Sequence, residues 1–112
     1  MTNYELLNLG AEIVNGLRAA GISCENARCR NGETVFAVRT QFPIGYVCVD
    51  IQCDDSTDSE LLIVICRLAE PPRRGKGGLY VDEPIAAVKT AAEAIAVICD
   101  LRFSSSEQRR IE

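Results

Sequence analysis

The sequence predicts an α+β domain, a four-stranded antiparallel meander flanked by N- and C-terminal helices packed on one face. Three observations lead to it. Apolar residues recur at helical spacing near both ends of the chain, and extended apolar runs separated by short turn signals lie between them. The length of 112 residues suits one domain with one core. Residues 1–112 therefore read as a single domain, with 104–112 as a polar tail that frays.

The first helix is expected from about Asn3 to Ala20. Thr2 followed by Glu5 is a capping-box pattern. Leu6, Leu9, Ile13, Leu17 and Ala20 form an apolar stripe, and Asn8, Glu12 and Asn15 form the wet side. Gly21 is placed to end the helix in a left-handed conformation. Gly10 and Gly16 each cost about 1 kcal/mol inside a helix, a loss that close packing against a neighbour offsets.

A hairpin follows. Asn31-Gly32 separates two extended runs, Ile22 to Arg30 and Glu33 to Thr40, and favours a two-residue turn that sets Arg30 opposite Glu33. A second bend at 41–45 leads into the strand Tyr46–Cys53. Its alternation puts Val47, Val49, Ile51 and Cys53 on one face and Cys48, Asp50 and Gln52 on the other. The strand Leu61–Leu68 is apolar on both faces up to Arg67, so either Leu61, Ile63 and Ile65 or Leu62, Val64 and Cys66 point away from the helices. The final helix is expected from about Glu83 to Leu101, capped by Asp82 with Pro84 in its first turn. Ile85, Val88, Ala92, Ile95, Cys99 and Arg102 follow at helical spacing, and Val97, Ile98 and Leu101 widen the stripe. Together, the last strand and the last helix carry more apolar surface than two helices hide.

Composition narrows the function. A net charge of −4 disfavours general nucleic-acid binding, which needs clustered positive charge. No run of apolar residues is long enough for a membrane span, and the N-terminus lacks a basic start and apolar core, so the chain is expected to be cytoplasmic. There is no histidine, which removes the commonest general base, the commonest metal ligand and every Ser-His or Cys-His pair. A non-catalytic role without cofactor is expected.

The six cysteines are Cys24, Cys29, Cys48, Cys53, Cys66 and Cys99. Two pairs are spaced C-x4-C, but Cys48 and Cys53 fall on opposite faces of a strand, which argues against a zinc knuckle. Cys53, Cys66 and Cys99 read as small buried hydrophobes, and Cys48 as the exposed thiol.

Two charged segments are candidate sites. The acidic run with Asp54, Asp55, Asp58 and Glu60 lacks the glycine and the final glutamate of a calcium loop; it reads as a solvated turn able to meet a basic partner. The Pro/Gly-rich stretch 71–78 carries Arg73, Arg74 and Lys76, suited to a small anionic ligand such as a nucleotide. Its glycines lack the spacing of a phosphate loop and no Ser or Thr follows Lys76. The leading expectation is a protein-binding module, either an acidic inhibitor or adaptor or a homo-oligomer. The helix–meander–helix order is similar to that of small adaptors, secretion chaperones and phage-encoded inhibitors of host defence, in element order alone.

Overall fold

The computed structural model describes residues 3–30, 32–53, 61–68 and 82–103. The elements are α1 (Asn3–Ala19), β1 (Arg28–Arg30), β2 (Glu33–Phe42), β3 (Gly45–Cys53), β4 (Leu61–Leu68), β5 (Asp82–Val88) and α2 (Ala91–Asp100). The α+β meander is the expected one, with five strands instead of four, in the order β1-β2-β3-β4-β5. Every neighbouring pair is antiparallel.

The chain leaves α1 as its sequence dictates. Leu6, Ile13, Val14 and Leu17 are buried, while Asn8, Glu12 and Asn15 are exposed. Gly21 adopts φ +85°; its N–H donates to Arg18 O at 3.0 Å and that of Ile22 donates to Leu17 O at 2.9 Å. This is a Schellman closure, sealed by contact-ready apolar residues, since Leu17 and Ile22 are both buried.

The first hairpin has the expected register, with Arg30 opposite Glu33 and Gly32 at φ +79°. Its first arm is shorter than expected. Only Arg28–Arg30 forms a strand, and Cys24 meets Val38 in an isolated bridge whose register differs by one residue from that of Arg28 with Val35. Arg18 explains the break: its guanidinium donates to Cys24 O at 2.9 Å and to Asn26 Oδ1 at 3.0 Å, drawing this stretch toward the helix end.

The final helix needs the largest correction. Asp82 and Pro84 belong to the fifth strand, and the helix begins at Ala91 with Thr90 as its N-cap. Two features disguise this strand. The register shifts between Ile65 and Cys66, leaving Ile85 as an extra residue and giving Ile85 and Val88 a spacing that mimics a helix. Proline also suits an outer strand, where an absent N–H leaves no ladder bond unmade. The Thr90 hydroxyl accepts from the Glu93 N–H at 3.1 Å and donates to the Glu93 carboxylate at 2.9 Å. Thr90→Ala is expected to cost about 1 kcal/mol, read as a lower denaturant midpoint at unchanged slope. The buried stripe of α2 is Ala91, Ala94, Ile98 and Leu101, one residue out of phase with the stripe expected through Ala92, Ile95 and Cys99. The late start sets this phase, and the small Ala91 and Ala94 let the helix sit close.

Both helices cover one sheet face. A single cluster joins their apolar stripes to Phe36, Val38, Val47, Val49, Ile51, Ile63 and Ile65. The two helical glycines mark the close contacts. A Cβ on Gly10 would meet Ala27 Cβ at 2.6 Å and Thr34 Cγ2 at 2.7 Å, whereas one on Gly16 would meet the tip of Ile95. Because Ile95 ends in a rotatable ethyl group, Gly16→Ala is expected to change stability by less than about 1 kcal/mol, the clash being offset by helix propensity. Thermal unfolding of this variant checks it.

Candidate interaction face

The strand Leu61–Leu68 posed a choice of face, and the structure decides it. Ile63 and Ile65 are 0% exposed against the helices, whereas Leu62 is 37% exposed on the opposite face. Val64, beside it, is half-buried. Further along the same face Cys66 and Leu68 are buried. The surplus apolar surface therefore lies at the Leu62–Val64 end of the strand.

The registers assemble this face row by row. One row runs Arg28, Val35, Asp50, Val64 and Ala87 across all five strands. The next runs Ala37, Cys48, Cys66 and Pro84. Gln52 stands opposite Leu62. Val35, Ala37, Cys48, Asp50 and Gln52 are all half-buried. Among the described residues both helices sit on the other side, so this face is a shallow, small-residue surface with one carboxylate at its centre.

Its cysteines form a pair that sequence spacing alone conceals. The Glu25 N–H donates to Ala37 O at 2.9 Å and the Arg39 N–H to Ser23 O at 2.7 Å, so the backbone groups of Ala37 point away from β3. Cys48, opposite Ala37, then turns its own N–H and C=O toward β4 and exchanges both with Cys66. By the same rule Cys66 has nothing to share with Pro84, whose missing N–H falls on the outer side.

The other cysteines depart from expectation. Cys29, not Cys48, is the exposed thiol, and Cys53 and Cys99 are half-buried where full burial was expected. Cys24 is buried, its Sγ 3.8 Å from Val14 O. Burial pushes its thiol above the usual range, opposed by the charge and hydrogen bond of Arg18. Cys24 and Cys29 both fall on the helix side because of the register shift between them. None of the six forms a disulfide, and among the described residues no three Cys, Asp or Glu side chains converge in a way that could hold a metal ion.

The rim carries the charge. Arg67 donates from Nε to Ile44 O and from its terminal nitrogen to Glu83 at 3.2 Å, tying the β2–β3 turn to the outer strand. Arg39 pairs with Glu25 across the first hairpin arm. Arg102, expected on the apolar stripe, instead bridges two helix ends, donating to Cys99 O at 3.2 Å and Ala20 O at 3.1 Å. Positive charge at two carbonyl-rich ends is favourable. Thr2, Asn31, the acidic Asp54, Asp55, Asp58 and Glu60, the basic Arg73, Arg74 and Lys76, and Arg109 and Arg110 lie outside the described residues. No described helix is long and apolar enough to cross a membrane. No family model, curated protein or solved structure matches the chain.

Proposed function

We propose that this chain is a non-catalytic protein-binding domain that docks through the sheet face turned away from its helices. The observation that supports it most is the contrast within one strand: Ile63 and Ile65 are 0% exposed while Leu62 keeps 37% of its surface in water. An isolated exposed leucine needs no explanation. This one adjoins the half-buried Val64 on its own strand, and Val64 stands beside Ala87 on the next, with Asp50 on its other side; apolar surface that continues from strand to strand is what marks a docking site.

Charge supplies the direction of the preference. The acidic run containing Asp54, Asp55, Asp58 and Glu60 joins Cys53 to Leu61, the strand ends next to Leu62. A partner with a basic rim around an apolar patch complements that combination, and complementary charge speeds encounter and sets orientation. An acidic inhibitor or adaptor fits this description. The absence of histidine supports a binding role over a catalytic one.

Light scattering across a concentration series, with affinity capture on the native protein and on a variant charged at positions 62 and 64, tests the reading. Association seen with the native face and missing with the charged one supports it. A chain that stays monomeric and captures the same proteins with either face sinks it.

A further inference from the structure

Cys48 and Cys66 stand directly opposite each other on adjacent central strands, on the same sheet face, with Cys48 half-buried and Cys66 buried. We propose that they are a modification site at which hydrogen peroxide makes a reversible cross-strand disulfide. Hydrogen-bonded partners in an antiparallel ladder have Cα atoms about 5.5 Å apart, inside the window of about 4.4–6.8 Å that disulfides occupy. Their Cβ atoms, about 5.5 Å apart in such a pair, lie roughly 1 Å beyond the disulfide range. Closing the bond therefore draws the two strands together locally, and the strain makes the bond easy to reduce. That is the behaviour of a reversible sensor and not of a permanent staple.

The chemistry balances with the peroxide as oxidant. Cys48, the more accessible of the two, attacks as thiolate; an S–O bond forms, the O–O bond breaks and hydroxide leaves. The Cys66 sulfur then attacks the Cys48 sulfur, the S–S bond forms, the S–O bond breaks and the second oxygen leaves as water once the Cys66 proton is accounted for. Two thiols lose two electrons and two protons, and one peroxide becomes two waters. The other cysteines lack this arrangement. Cys29 faces Thr34, Cys53 faces Leu61, and Cys24 bridges Val38. The proposal is independent of docking, because its readout is a covalent bond in the isolated chain.

The test is peptide mapping of the full chain after one equivalent of hydrogen peroxide, alkylation and digestion without reductant. The expected result is loss of the mass of two hydrogens and one linked peptide joining the Cys48 and Cys66 segments. Excess glutathione should remove the link, and Cys48→Ser should never form it. Because the link is read in the unmutated protein, a variant that folds poorly does not blunt the test. Oxidation confined to Cys29, sulfinic acid at Cys48 without a link, or a link between other cysteines would each overturn the proposal.

Discussion

Gly10→Ala is expected to destabilise the fold by about 1–3 kcal/mol, the range for forcing extra volume into a packed site. The sign runs against helix propensity, which favours alanine by about 1 kcal/mol at the same position. Geometry decides the contest. The new methyl would lie 2.6 Å from Ala27 Cβ and 2.7 Å from Thr34 Cγ2. Neither neighbour can swing aside: Ala27 has no rotamer to change, and Thr34 is fully buried beneath the helix. Relief requires the helix to lift from the sheet and loosen its contact with Ile51. Chemical denaturation of Gly10→Ala beside Gly16→Ala checks the argument, since the two substitutions are alike in propensity and differ in what they strike. Equal effects at the two positions would show that packing does not govern Gly10.

The second large effect concerns association. Leu62→Arg combined with Val64→Arg is expected to weaken binding at the open face by a hundredfold or more, about 2.8 kcal/mol. Two guanidinium groups on adjacent same-face positions place charge where a partner would have to remove it from water. Unfolding should change by only about 1 kcal/mol, because Leu62 is exposed and Val64 half-buried on the helix-free face, outside the core positions where substitutions cost most. A titration with the captured partner, or sedimentation of the chain itself, reads the binding loss while thermal unfolding confirms the fold. Loss of folding in this variant would instead show that these side chains pack against the protein's own atoms.

The parts of this fold legible from sequence are those governed by simple periods and strong turn residues. The α1 stripe, the Gly21 terminus, the Arg30–Glu33 register and the alternation of Tyr46–Cys53 follow from local chemistry. The fifth strand did not, because an extra residue at Ile85 gives a strand the spacing of a helix and Pro84 matches a helix start as well as a sheet edge. The first hairpin arm was overextended because the agent that breaks it, Arg18, lies on another element. Of the binding surface, the excess of apolar surface on Leu61–Leu68 was visible but its side was not. Alternation cannot choose between two apolar faces, and only the position of the helices over Ile63 and Ile65 settles it. The Cys48–Cys66 opposition was within reach, since placing Cys53 opposite Leu61 forces it, yet spacing rules compare cysteines along one strand and not across two.

The outer strand has a consequence for how copies of this chain can meet. Pro84 offers no hydrogen to a strand arriving from outside, and the extra residue at Ile85 bends the row a newcomer would follow. At the far margin β1 spans only three residues, too short a template to recruit another chain. Among the described residues, both flanks are poor templates for a further strand. A contact made at the open face is thus separate from strand-by-strand growth of the sheet, the route by which exposed edges seed fibres.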